Sequence, residues 1–316
     1  MIDNLGRNIN YLRVSVTKRC NLNCSYCGTR NEKAQELTPL QIENIVRAFA
    51  HHGITKVRLT GGEPLVRNDI AEIAGRISRI DGIKKLALTT NGILLRDYAC
   101  KLKHAGVTAI NISLDTTDRE QYKQITGLDG LGRVLEGIDE CEKTGLSPIR
   151  LNAVLIRGKN DNAAESLINI ARERKIDVRF IELMPFSEDG ENTELVVKAE
   201  EILGRFPFLS PVSKEGASDF EKSVARYYTA DNFKGRVGFI TPVSHNFCSE
   251  CNRIRLLSDG KIRPCLGNNE VFDIMNVIDD EEKLREEIRK IILLKPAQHS
   301  FHCGYGNSHG LNLIGG

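Results

Sequence analysis

Six short apolar or β-branched runs recur through the first part of the chain: Leu12–Val16, Lys56–Leu59, Lys85–Thr89, Ala109–Leu114, Arg150–Ile156 and Val178–Leu183. Leu12 to Val178 is 178 − 12 = 166 residues in five steps, so a run arrives about every thirty-three residues, the length of a strand plus a helix. Helical periodicity fills the gaps. Thr38-Pro39-Leu40-Gln41 reads as a capping box with proline in the first turn. Ile42, Ile45, Val46 and Phe49 then share one face, and Gly53 can end the helix. Ile70, Ile73, Ala74 and Ile77 repeat the pattern. Asn162 with Glu165 predicts a further helix start, with Leu167, Ile170 and Ala171 facing inward. Six βα units in series require a parallel sheet with right-handed crossovers, either open or a partial barrel. Three runs end in small or polar residues: Thr60-Gly61-Gly62-Glu63, Thr89-Thr90-Asn91-Gly92 and Ser113-Leu114-Asp115. Ligands of such folds bind at the carboxyl ends of the strands, so these endings predict one shared mouth. After about Pro185 the cadence stops. Residues 186–247 read as irregular, and a late helix over Asp279–Leu294 sets Leu284, Ile288, Ile291 and Ile292 on one face.

The chain carries nine cysteines. Six fall in two groups, Cys20-x3-Cys24-x2-Cys27 directly after the first run and Cys248-x2-Cys251-x13-Cys265 near the end, while Cys100, Cys141 and Cys303 stand alone. Cys100 and Cys141 fall in predicted helices and are expected to be packed. The N-terminus has no apolar secretory core, so a cytoplasmic location is expected and a disulfide framework is not. Metal binding or redox chemistry is the better reading. Each group supplies three thiolates, one short of a filled tetrahedral zinc site or cubane. The first suggests a [4Fe–4S] cluster with one iron left open, against a zinc site completed by a remote side chain. In the second, His245 could complete a Cys3His zinc site. The interleaved Arg253, Arg255 and Arg263 instead favour an open cluster meeting an anionic ligand, because guanidinium groups fork onto phosphate. The formal charge is only +2, from 44 Lys and Arg against 42 Asp and Glu, which excludes a bulk polyanion binder such as a nucleic-acid coat. No apolar run reaches the ~18–20 residues of a membrane span.

Cys20, Cys24 and Cys27, with Tyr26 before the last cysteine and Gly61-Gly62-Glu63-Pro64 after the second strand, resemble the radical S-adenosylmethionine superfamily. Its members chelate the methionine moiety on the open iron and receive the amino group on the GGE backbone. Glycine suits a backbone that must approach a ligand closely. The resemblance implies reductive cleavage to a 5′-deoxyadenosyl radical that abstracts hydrogen from substrate, in a mouth that shields the radical.

From residue 7 to 316 the chain further resembles the molybdenum-cofactor biosynthesis protein A family, the GTP 3′,8-cyclases. LRVSVTKRCNLNCSYC, VRLTGGEPL, LTTNG, NISLD, VRFIELM, FCSECNRIRL with Cys265, and the terminal Ile-Gly-Gly carry this resemblance. It implies a partial (β/α)6 barrel over 1–216 with one [4Fe–4S] cluster, and a C-terminal domain over 217–316 holding a second. GTP would lie between them, guanine on the open iron of the second. The implied reaction is radical cyclisation to 3′,8-cyclo-7,8-dihydro-GTP, the first step of molybdenum cofactor biosynthesis. The resemblance assigns Tyr26, Gly61, Gly62, Glu63, Ser113 and Met184 to S-adenosylmethionine. Arg13, Arg58, Thr89, Arg150, Arg179, Arg253 and Arg255 go to GTP. Arg13 and the tail glycines Gly315 and Gly316 are given catalytic roles. A cyclic pyranopterin monophosphate synthase downstream and a flavodoxin- or ferredoxin-type electron donor are implied partners, and a homodimer is compatible with the family.

Several positions depart from the family pattern. Gly28-Thr29 stands where Met-Pro is usual, Lys18 where Asp is common, and Arg150 where Lys is usual. The tail lacks the Arg and Met often found before IGG and carries Cys303, which leaves room for a paralogue acting on another purine nucleotide. A peptide-modifying radical enzyme is the other alternative, although such enzymes carry longer downstream cysteine sets.

Overall fold

The computed structural model describes residues 1–27, 35–186, 192–213 and 224–301. All twelve described strands form one sheet. Its centre is six parallel strands, β1 (Tyr11–Ser15), β2 (Lys56–Thr60), β3 (Lys85–Thr90), β4 (Ala109–Ser113), β5 (Ile149–Val154) and β6 (Ile176–Ile181), paired in chain order. Each begins within two residues of the run that predicts it. Helices α1 (Pro39–His51), α2 (Ile70–Ser78), α3 (Leu95–His104), α4 (Arg119–Thr126), α5 (Leu131–Thr144) and α6 (Ala164–Glu173) make the crossovers.

The helices start and stop where local chemistry requires. Thr38 and Gln41 form both halves of the capping box at α1, which satisfies amides that the first turn leaves without partners. Gly53 follows with φ +86. Ile42, Ile45, Val46 and Phe49 are buried in the main core, each contributing about 1.5–3 kcal/mol. Asn162 does not cap α6. Its side chain accepts from Gln121 instead, and a short 3-10 turn, Asp161–Ala163, leads into the helix at Ala164. Leu167, Ile168 and Ala171 are the buried face of α6, and Ile170 is half-buried.

The stretch that reads as irregular contains secondary structure. After α7 (Ala199–Arg205) and β7 (Ser210–Pro211), β8 (Arg226–Thr229) and β9 (Val237–Ile240) follow, and β9 pairs in parallel with β6. On the other flank β10 (Arg253–Leu256) pairs in parallel with β1, then β11 (Lys261–Arg263) and β12 (Phe272–Asp273) continue antiparallel. The predicted division at 216/217 falls within 214–223, outside the described residues, and the strands on either side of it belong to one sheet. Helix α8 (Glu281–Leu293), capped by Asp280, buries Leu284, Ile288, Ile291 and Ile292 and packs on α1. A small cluster of Phe186 and Phe301 with Met184, Val243 and Leu266 joins the segments after β6 and β9 to those after β11 and α8. It therefore links the two flanks of the sheet.

Of the single cysteines, Cys141 is buried as expected but Cys100 is exposed. It lies on the outer face of α3, one helical turn before His104, whose Nδ1 faces its sulfur.

Candidate active site

Strand alternation builds the site. Successive residues of a strand point to opposite faces, so Leu12 and Val14 pack into the core while Tyr11 and Arg13 face the other way. Register carries the alternation sideways. Arg255, Arg13, Arg58 and Ala87 lie in one row across β10, β1, β2 and β3. Thr89, Asn111 and Arg150 form the next row, and Ser113, Asn152 and Arg179 another. These rows line a single cavity of about 580 Å³, within the size range of small-molecule sites.

The two cysteine groups lie at opposite ends of this cavity. Cys20, Cys24 and Cys27 follow the carboxyl end of β1. Cys251 lies two residues before the amino end of the parallel neighbour β10, and Cys265 lies two residues after the antiparallel β11 at that same end. All six sulfur-bearing residues line the cavity. Among the described residues, no three His, Cys, Asp or Glu side chains converge closely enough to hold a single metal ion. Each group supplies three thiolates, one short of a filled tetrahedral zinc site, a number that suits a cubane with one iron left open. His245 is exposed, faces Ser244 and does not line the cavity. His299 does line it, packed on Phe301 with Nε2 at 3.0 Å from the Pro242 carbonyl.

At the first end the glycine pair has a second reason beyond ligand approach. The Gly62 amide donates to the Thr17 carbonyl (2.9 Å) and the Glu63 amide to the Arg19 carbonyl (2.8 Å), fastening the cysteine loop to β2. A Cβ on Gly61 would stand 2.5 Å from the Thr17 oxygen, and one on Gly62 2.4 Å from the Arg19 oxygen. The Glu63 carboxylate does not line the cavity. It accepts from the Leu65 amide, the Thr90 hydroxyl and the Asn91 amide (2.9, 2.8 and 2.6 Å), so it holds the ends of β2 and β3 together. Burial outweighs these donors and raises its pKa to about 7. Tyr26 donates to Asp115 (2.7 Å), whose other oxygen accepts from the Val154 amide. Ser113 and Met184 line the same end. Lys18 pairs with Asp259 at 3.3 Å, tying the cysteine loop to the β10–β11 turn. Burial pushes the Cys20 thiol up to about 11 and Cys24 well above its usual range, with Glu63 beside the first and Asp115 beside the second.

The middle and far end are cationic. Burial and neighbouring arginines depress the pKa of Arg13 and Arg179 to about 10, so both remain charged at neutral pH but crowded. Arg179 has two buried guanidinium nitrogens, Nε and Nη2, with no hydrogen-bond partner among the described residues. Asn111 and Asn152 each present a buried carbonyl oxygen in the same state. A buried donor without a partner costs about 1–3 kcal/mol, and more when charged, so the Arg179 guanidinium suits an anionic group, while the two asparagine oxygens suit an N–H or O–H donor. Arg58 donates to Tyr11 and lies 3.3 Å from Thr89 Oγ1. Arg150 approaches Asp177 at 3.7 Å, where Arg236 also binds, so the strand-end ion pair exists and is shared. Arg253 stacks over Phe247. Burial acts to raise the Cys251 thiol, but Arg253 and Lys295 bring it down to about 6. Arg263, almost fully buried, donates to the Cys265 carbonyl.

The Radical SAM superfamily profile matches residues 14–171, and the Molybdenum Cofactor Synthesis C profile matches 176–301. The chain is 44% identical over its whole length to GTP 3′,8-cyclase of Alkaliphilus oremlandii, all of which it covers. It is 39% identical to the Thermodesulfovibrio yellowstonii enzyme of that name, covering 96% of each chain. The chain belongs to the GTP 3′,8-cyclase family of radical SAM enzymes. Among solved structures, Streptococcus suis SuiB bound to S-adenosylmethionine superposes with a TM-score of 0.62 at 17% identity, over 90% of this chain and 68% of that one, which shows a shared fold. Membership supplies the cofactors that the two cysteine groups fit: [4Fe–4S] clusters and S-adenosylmethionine.

The structure brings together every described residue of the expected site except Glu63, which stands behind it. Gly315, Gly316, Cys303, Gly28 and Thr29 lie outside the described residues. Tyr11, Lys56, Asn111 and Asn152 are cavity residues that the motif reading did not select. Each is two positions from a selected residue on the same strand, so period-two alternation was the signal that could have found them.

Proposed function

We propose that this chain catalyses the radical cyclisation of GTP to 3′,8-cyclo-7,8-dihydro-GTP, the first step of molybdenum cofactor biosynthesis. One observation carries the reading: two three-thiol groups line one cavity from opposite ends, and the rows between them are rich in arginine and asparagine, with Arg179, Asn111 and Asn152 presenting buried polar atoms that have no hydrogen-bond partner among the described residues. Bound at the first group, the cluster and S-adenosylmethionine supply a carbon-centred radical able to abstract hydrogen. The chain's own residues do the rest. Gly61 and Gly62 present backbone to the cofactor, while Glu63 and Asp115 hold the flanking segments and Tyr26. Arg58, Arg150, Arg179 and Arg253 hold a polyphosphate by forked contacts, which are stronger than neutral hydrogen bonds. Arg13, in the same row as Arg58 and Arg255, faces the reacting nucleoside and stabilises it after ring closure. Holding the radical inside this cavity limits its contact with water. Thr89, Met184, Ser113 and Arg255 complete the contacts. A pyranopterin-forming synthase would take the product and a flavodoxin- or ferredoxin-type protein would supply the electron, in the cytoplasm. No described helix is long and apolar enough to cross a membrane.

The test is anaerobic reconstitution followed by dithionite, S-adenosylmethionine and GTP. We expect about eight iron per chain, 5′-deoxyadenosine, and a cyclic GTP product. Absence of 5′-deoxyadenosine at full iron loading would overturn the radical reading. 5′-Deoxyadenosine without GTP consumption would replace GTP by another purine nucleotide.

A further inference from the structure

The second cysteine group is held by two cations that no motif contains. Arg7 is buried, 6% exposed. Its guanidinium donates to the Cys248 carbonyl (3.2 Å), the Lys295 carbonyl (3.1 Å) and the Ala297 carbonyl (3.3 Å). Lys295, 5% exposed, donates from Nζ to the Pro264 carbonyl at 2.7 Å, immediately before Cys265. A continuous series of side-chain to backbone bonds therefore runs from Cys248 through Arg7 and Lys295 to Pro264 and Cys265. It joins segments far apart in the chain: the N-terminal turn, the loop before β10, the turn after β11 and the end of α8.

The two cations differ in charge balance. Arg7 lies 2.7 Å from Asp3, with both side chains buried, so its charge is compensated and its work is geometric. Lys295 has no carboxylate partner among the described residues. The groups facing it are Cys251 and Cys265, with Arg7 and Arg253 nearby. A buried ammonium held only by a carbonyl is costly unless an anion accompanies it. A [4Fe–4S] core on three thiolates is net anionic and becomes more so on one-electron reduction. A fixed cation beside it stabilises the reduced form.

We propose that Arg7 positions the second cysteine group and that Lys295 supplies the buried positive charge that balances its cluster and raises its reduction potential. The proposal rests on reading that group as a cluster site.

The test compares the intact chain with Lys295→Gln, Lys295→Arg and Arg7→Gln after anaerobic reconstitution. Iron per chain is counted, and each cluster's midpoint potential is followed by electron paramagnetic resonance during redox titration. The first cluster is identified as the one whose signal responds to S-adenosylmethionine. In Lys295→Gln the second cluster's potential should fall while the first cluster's stays unchanged, and Lys295→Arg should restore most of the difference. If Lys295→Gln instead loses the second cluster's iron, recovery of that iron in Lys295→Arg also supports the role of charge. Arg7→Gln should lose about half of the iron, all of it from the second group. A fully loaded Lys295→Gln with an unchanged second potential would overturn the charge-balancing role, as would failure of Lys295→Arg to recover what Lys295→Gln loses. Full iron in Arg7→Gln would overturn the positioning role. An unsubstituted chain holding only about four iron would sink the two-cluster reading itself, and this proposal with it.

Discussion

At Tyr11 a phenol stands among arginines. Burial works against its ionisation, but Arg58, Arg13 and Arg253 lower its pKa to about 8. The phenol accepts a hydrogen bond from Arg58 and so sets the direction in which that guanidinium presents its remaining donors. The sign of the pH effect follows. A neutral phenol leaves the arginine charge for a phosphate chain, while a phenolate neutralises part of it. The KM for GTP should therefore rise by roughly three- to tenfold as pH passes upward through about 8, with kcat less affected. Tyr11→Phe should flatten that rise while raising KM at neutral pH. A steady-state pH series checks this, and an identical inflection in the variant would remove Tyr11 from the account. Motif comparison passed over Tyr11 because its meaning is positional: it matters by sharing a strand face with Arg13 and a row with Lys56 and Arg253.

At the scale of elements, the loop after β1 and the GGE turn after β2 are one unit. The Gly62 and Glu63 amides fix the carbonyls of Thr17 and Arg19, and the three cysteines are displayed from the loop so fastened. Gly62→Ala would drive a methyl to 2.4 Å from the Arg19 carbonyl, and backbone has no rotamer by which to yield. Displacing packed backbone costs about 1–3 kcal/mol. The expected outcome is loss of the first cluster with the second retained, so iron should fall to roughly half while nucleotide binding persists. Iron analysis with equilibrium binding of GTP checks it, and full occupancy would show that the loop is not held this way. The GGEP motif was legible as a cofactor signature, but that it also clamps its neighbouring loop was not. The hydrogen bonds join residues more than forty positions apart, and sequence spacing does not report which strands become neighbours.

Across the whole molecule, both flanks of the central six strands are finished by the last third of the chain, β9 beside β6 and β10 beside β1. Phe180 packs on Phe239 across the first of these seams. A chain ending at residue 213 would leave β1 and β6 as edges with unpaired backbone amides and carbonyls and would uncover the apolar residues beneath, an arrangement prone to edge-to-edge association. We expect such a chain to run as aggregates in size-exclusion chromatography with light scattering and to lack a cooperative thermal transition. A monomer that melts cooperatively would establish residues 1–213 as a self-sufficient unit.

The sequence alone determined the six βα units, the capped start of α1, the shared mouth at Thr60, Thr90 and Asp115, and the division of six cysteines into two incomplete ligand sets. All of these depend on local periodicity, propensity and motif, which are written at short range. Only the tertiary structure decided that the two cysteine sets face each other along one cavity, that β9 and β10 close the flanks of the sheet, and that Arg7 and Lys295 meet behind the second set. Those facts depend on strand order and on which carbonyls are left needing donors once the chain has packed. The +2 charge could exclude a bulk polyanion binder, but it could not reveal that the cations collect in one nucleotide-sized space. That concentration arises when alternating residues on neighbouring parallel strands are brought into register.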